Sequence, residues 1–230
     1  MSCTLAVTGS NLCGNAPYSV ALVTPDGTHV RSLQQRERGD PAVLSRDLCR
    51  EAAVELDAIT DVIVDVGPGS YTGLRVVVTF VRVLMQFADV KVRAVDSLAM
   101  LAHRSLSADP SSSQPSRDVV LSSVRVLLDA RRGRYHVGHF RWQDGALQEL
   151  APAAAERTES ALAAIESGDT VIMPTGLFGV LRESLEGRGA HCRAVHAVDA
   201  LDLLRHGLLA TPAEIADLEP RYLMASYAED

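Results

Sequence analysis

From Leu74 to Phe87 the chain reads LRVVVTFVRVLMQF, and ten of these fourteen positions are apolar. The polar ones, Arg75, Thr79, Arg82 and Gln86, recur at intervals of 4, 3 and 4, so they draw one narrow stripe along a predicted helix. A helix lying on a globular core commonly turns about a third of its circumference inward. Here that would leave apolar surface over. Either the helix is buried centrally, or its second face is covered by another protein. Val76, Val77 and Val78 in succession weaken intrinsic helix propensity, so the segment leans on tertiary packing.

The pattern around this helix predicts an α/β fold. "CTLAVTGS", "YSVALVT" and "HVRSLQ" read as three short strands, with Pro25, Asp26 and Gly27 supplying a tight turn, so a β-meander opens the chain. A helix is expected from Pro41 to Leu56, with Leu44, Leu48, Ala52 and Leu56 on one stripe. "DVIVDV" is a nearly unbroken β-branched run, as suits a strand covered on both faces. "VKVRAV" and "DSLAMLAHR" add a strand and a helix, making a mixed sheet. The second half repeats the order. "SVRVLLDARRGRYHVGHF" is expected to fold as a hairpin turning near Arg132–Gly133, with "GALQELAPA" as a third strand. Helices at Glu159–Ser167, Leu177–Glu186 and Asp199–Leu209 then alternate with the strands "TVIMPT" and "HCRAVH". Between the halves, Ser105–Arg117 is rich in Ser and Pro and has no period. The expected division is a first lobe at 1–104, a linker at 105–117 and a second lobe at 118–230.

Charge narrows the function classes. Lys plus Arg total 22 against 29 Asp plus Glu, a formal charge of −7, so the chain as a whole repels nucleic acid at long range. Aromatics make up 4%, with Trp142 the single tryptophan, which disfavours a base-stacking platform. The four cysteines show no C-x-x-C pair and the start is not signal-like, so reduced thiols in a cytoplasmic protein are expected. No apolar run is long enough to span a membrane.

"GPGSYTG" places Gly67, Gly69 and Gly73 between the buried strand and the apolar helix, with Ser70 or Thr72 as its cap. A structural turn, an anion site at the helix start and a partner contact all fit that pattern. The loop lacks the lysine of a Walker motif and the spacing of a dinucleotide fingerprint, and Ser70 is not flanked as a nucleophile elbow requires. Asp65, at the strand end beside the loop, and Asp129, ahead of Arg131, Arg132 and Arg134, are the acidic candidates for a metal or a base; ion pairing and capping are the competing uses. None of the seven histidines forms a metal-binding helical pair, and Ser70 has no evident base.

"GPGSYTGLR" (Gly67–Arg75), together with "YSVAL", "DSLAMLA", "LLDARRGRYHVGHF" and "EPRYL" in that order, resembles the TsaB (YeaZ) family of tRNA threonylcarbamoyladenosine biosynthesis proteins. The resemblance implies the actin-like ATPase (ASKHA) fold: two lobes, each with a mixed β-sheet opening on a β-meander. It implies a subunit with neither catalytic residues nor a metal of its own. Such a subunit pairs with TsaD, which holds the metal and transfers threonylcarbamoyl to the adenosine beside the tRNA anticodon, while TsaE joins as the ATPase. A second copy of the chain is the alternative partner, tRNA is met only indirectly, and ATP or ADP has a place only at the subunit interface. The motif loop is then Gly67, Pro68, Gly69, Ser70, Thr72, Gly73 and Arg75, and the expected interface is Leu74, Val77, Val78, Val81, Arg82 and Met85. The chain departs from the family pattern at Thr8, where relatives carry Asp, in "RGDPAV" (Arg38–Val43), where relatives often have a histidine, and at Val77 and Val83, which replace glycines. The rival reading is an active ATPase or small-molecule kinase of the same fold using Asp65 or Asp129. A metallopeptidase lacks its ligand pair.

Overall fold

The opening apolar runs pair as a meander of β1 (Cys3–Thr8), β2 (Ser19–Thr24) and β3 (Gly27–Ser32). This is a computed structural model, and it describes residues 2–12, 16–34, 37, 39–106, 123–144, 146–195, 198–206 and 209–224. Next comes α1 (Pro41–Glu51), with Pro41 in its first turn and the Asp40 side chain accepting from the Val43 amide at 2.9 Å. The helix stops short of the expected Leu56. Ala53 takes a left-handed φ of 53°, and Leu56 lies in a 3-10 turn, 46% exposed.

Two parallel strands extend the meander: β4 (Ile59–Gly67) and, across α2 (Tyr71–Phe87), β5 (Lys91–Asp96). Val62 to Asp65 are buried at every position, as a strand covered on both faces must be. After α3 (Ser97–Leu106), a second meander of β6 (Ser123–Arg131), β7 (Arg134–Gln143) and β8 (Ala146–Arg157) begins the other sheet. Then follow α4 (Thr158–Ala163), β9 (Thr170–Pro174), α5 (Thr175–Glu186), β10 (His191–Val195) and α6 (Ala200–Arg205). A two-residue strand, β11 (Thr211–Pro212), closes the edge beside β5.

The strand orders are β11-β5-β4-β1-β2-β3 and β10-β9-β6-β7-β8. Apart from β11, one order repeats the other: three antiparallel strands, then two parallel ones reached by crossover helices. β8 runs further than "GALQELAPA" implied. Its register against β7 shifts between Val137 and Phe140, where Pro152 has no amide to give, and an edge strand tolerates that break.

The chain divides into Met1–Ser97 with Ala197–Arg221, and Leu98–His196 with Tyr222–Asp230. This differs from the expected cut at 104, for two reasons. α3 packs with the second sheet, so that a side chain at Gly138 would meet Leu98 at 3.0 Å. The chain also returns to the first sheet after β10, where the Ala200 amide donates to Ser19 at 3.1 Å and Leu218 joins the first core. Of the expected linker, Ser105 and Leu106 belong to α3 and residues 107–117 lie outside the described residues. The first core is built around Leu5, Val7, Leu22, Leu48, Val64, Val77 and Val81. In the second, Leu127, Tyr135, Val137 and Met173 pack under Ala161, Leu181 and Leu185.

Candidate functional site

Asp65 organises the glycine loop. Fully buried, it accepts from the Thr8 hydroxyl (2.8 Å), the Ser97 hydroxyl (2.6 Å) and the Gly67 amide (2.9 Å). β1, β4, the loop and the start of α3 are thereby pinned to one carboxylate, whose oxygens are taken up by the fold itself. Thr8 stands where a second carboxylate would face Asp65 at hydrogen-bond distance. Asp129 is exposed and accepts from the Arg131 amide at 2.7 Å, a turn contact.

Gly67 needs its residue type twice over, because its φ is 101° and an added side chain would come within 2.6 Å of Leu74. At Gly69 the added atom would lie 2.6 Å from Ser10, and at Gly73 it would run into the Gly9 carbonyl. The Gly67–Pro68 bond is cis. Ser70 is the cap: its hydroxyl accepts from the Gly73 amide at 3.2 Å, while its own amide donates to the Ser10 carbonyl at 2.7 Å. Thr72 is exposed, and so is Arg75, whose guanidinium lies 5.4 Å from the Tyr71 ring and bonds its hydroxyl. Arg221 closes the other side. Its amide donates to the Val66 carbonyl at 2.7 Å and its guanidinium pairs with Asp96, which gives "EPRYL" a local role. Ser10 thus packs against Gly69, and the loop holds no lysine.

The expected interface needs correction. Leu74, Val77, Val78 and Val81 are at most 2% exposed and form, with Gly73, the face that α2 turns into its own core. They recur at intervals of three, one and three, so they stack on one side of the helix and cannot meet a partner. Arg82 is exposed and Met85 half-buried. The apolar side chains that the core does not fully cover are different ones: Val76 and Phe80, half-buried, Phe80 packing partly against the first core, then Val83 at 47% and Phe87 at 80% exposure. Their spacing of 4, 3 and 4 describes a second stripe, separate from that of Arg75, Thr79, Arg82 and Gln86. A groove of about 390 Å³ runs between Pro41 and Ala42 at the start of α1 and Val76, Phe80 and Val83 of α2. That second stripe could have been read from sequence, but two apolar stripes on one helix carry no mark of which turns inward.

Among the described residues no group of three or more His, Cys, Asp and Glu side chains could hold a metal, and no helix is long and apolar enough to cross a membrane. Buried titratable groups collect elsewhere. Burial pushes the imidazoles of His103, His136 and His139 below their ordinary range, Asp129 opposing this at His136. Burial alone would raise the Asp169 carboxyl. The Glu166 amide, the Ser123 hydroxyl and Arg125, whose Nε lies 2.6 Å away, outweigh it and hold Asp169 below the usual carboxylate range.

Two mixed sheets with one repeated strand order, and a glycine loop sealed by its own chain, define an α/β protein of the actin-like ATPase type. Residues 40–178, more than half of the chain, match the family described as TsaD: tRNA N6-adenosine threonylcarbamoyltransferase. The tRNA threonylcarbamoyladenosine biosynthesis protein TsaB of Bacillus subtilis (strain 168) is 30% identical over 115 residues, 50% of this chain and 44% of that relative. The chain thus spans less than half the length of that curated relative. YeaZ from Pseudomonas aeruginosa superposes with a TM-score of 0.68 at 26% identity, over 97% of this chain and 100% of that one. A second structure, described as an uncharacterized protein with similarity to peptidase YEAZ from Pseudomonas aeruginosa, gives 0.69 at 25% identity with the same coverage. The chain belongs to this TsaD-type family, on its TsaB (YeaZ) branch.

Proposed function

We propose that the chain is a non-catalytic subunit that pairs with a TsaD-like threonylcarbamoyltransferase in the threonylcarbamoyladenosine modification of tRNA beside the anticodon. One observation carries this reading: α2 turns Val77, Val78 and Val81 into its own core and still exposes Val83 and Phe87 on a second stripe, whose half-buried Val76 and Phe80 line a groove together with Val83. An exposed apolar stripe of this kind is costly unless a partner covers it. The chemistry that an enzyme would need is meanwhile committed to structure, Asp65 to three donors and Asp129 to its turn. The complex acts in the cytoplasm, a TsaE-like ATPase joins it, and any ATP or ADP sits between subunits, away from the sealed glycine loop.

The test is gel filtration with the cognate TsaD-like subunit. The double variant Val83→Asp, Phe87→Asp is expected to elute alone while its melting temperature stays within a few degrees of the parent's. A complex that survives both changes would overturn the reading. So would ATP turnover by the purified chain that disappears in Asp65→Asn, the result expected of a small-molecule kinase or ATPase.

A further inference from the structure

We propose that the tip of the β6–β7 hairpin and the adjoining end of β8 form a contact for the phosphate backbone of an RNA. The register places Arg131 directly across from Arg134, and Arg134 directly across from Arg157. Side chains facing one another across neighbouring strands share a face of the sheet, with strands about 4.8 Å apart. Arg134 and Arg157 therefore share a face, and Arg131 and Arg132, past a register shift after Asp129, are exposed beside them at the tip, so the arginines form one cluster. Like charges placed directly opposite one another destabilise a sheet.

Among the described residues, none of Arg131, Arg134 and Arg157 makes an ion pair with a carboxylate. Glu156 precedes Arg157 on β8 and so belongs to the other face. Asp129 already accepts from the Arg131 amide. Arg134 is held in place by one hydrogen bond from its guanidinium to the Ala155 carbonyl, 3.2 Å, and a guanidinium has further donors to offer.

The backbone supplies an independent argument. Arg131, Arg132 and Gly133 all take left-handed φ, at 64°, 51° and 68°. Glycine or asparagine fills such positions cheaply, whereas a side chain like arginine costs about 1 kcal/mol or more at each. Turn geometry therefore does not ask for arginine at either place. A charge requirement does, and the guanidinium fork matches a phosphate.

This rests on the reading of the chain as a subunit in tRNA modification, which makes RNA phosphate the favoured anion over an acidic protein segment. It departs from the expectation that tRNA is met only indirectly. A formal charge of −7 acts at long range, while a cluster of arginines acts at contact, so the two do not conflict.

The test is fluorescence anisotropy of a labelled tRNA transcript titrated with the full chain, from low to physiological salt. The parent is expected to bind at low salt. Arg131→Asn with Arg157→Gln, in which Asn tolerates the left-handed backbone, is expected to bind at least about tenfold more weakly, with a log–log salt slope shallower by about 1.4. Arg157→Lys should keep most of the affinity, and Arg182→Gln on α5 should change nothing. Three results would overturn the proposal: no binding by the parent, an unchanged slope in the double variant, or a polyglutamate peptide that outcompetes the RNA. Complex formation with the TsaD-like subunit should stay intact in all variants, so its absence in the parent would count against the proposed function and not against this contact.

Discussion

Asp65 illustrates how one residue can look catalytic and be structural. It stands at the C-terminal end of a buried parallel strand beside a glycine loop, where ligand-binding carboxylates are found in open α/β sheets. Its three partners decide the matter, because they come from β1, from the loop and from α3. Removing the acceptor strands three buried donors, each costing on the order of 1 kcal/mol or more. Asp65→Ala is therefore expected to lower unfolding stability by about 3 kcal/mol in urea titration. Asp65→Asn should lose much less, since the Thr8 and Ser97 hydroxyls can turn and accept. Equal midpoints for Ala and the parent would mean that the carboxylate is not the linchpin described.

At the scale of the element, α2 is a helix with two apolar stripes and one polar stripe. Val78→Asp places a charge in the first core and is expected to unfold that unit, a loss beyond about 4 kcal/mol, whereas Val83→Asp should leave thermal stability nearly unchanged. Melting curves of the two variants separate the faces directly; a similar loss in both would contradict the assignment. The strands were legible in the sequence because β-branched runs bounded by Gly, Pro and Asp carry their own period. The meander, the two crossover strands and the second hairpin fall where the pattern put them. The inward face of α2 was not legible, since hydrophobicity on both sides gives the helix no inherent orientation and only the sheet beneath decides. The end of α1 and the strand β11 were hidden for a different reason. Ala53 adopts a left-handed φ that alanine does not advertise, and two residues are too few to show alternation. Nor did charge counting disclose the arginine cluster, which needs the register of three strands.

For the whole molecule, the repeated strand order conceals an asymmetry in titratable groups. His103, His136, His139 and Asp169 all belong to the unit built on the second sheet. Each imidazole is held below its ordinary value by burial, so the unfolded chain takes up a proton first as pH falls. Stability from this source is present above about pH 6.5 and is lost as pH drops through the folded values. Asp169 extends the loss further into acid: its depressed carboxyl stabilises above about pH 3.8, and that contribution goes as pH falls through its folded value. In the first unit the described shifts run the other way. Burial raises Tyr18, with Asp40 adding to it, and raises Cys49, with Cys3 and Glu55 adding; both contributions fade only as pH climbs past 9 or 10. Acid should therefore unfold the second unit first. The probe is built in, because the single tryptophan, Trp142, lies in that unit with its ring 5.3 Å from that of His103. Tryptophan fluorescence is expected to change at a higher pH than the bulk of the helical circular dichroism, and Asp169→Asn should leave the first, histidine-driven step in place. Coincident transitions by both probes would mean that the two units unfold as one in acid, and that these buried groups do not set the order.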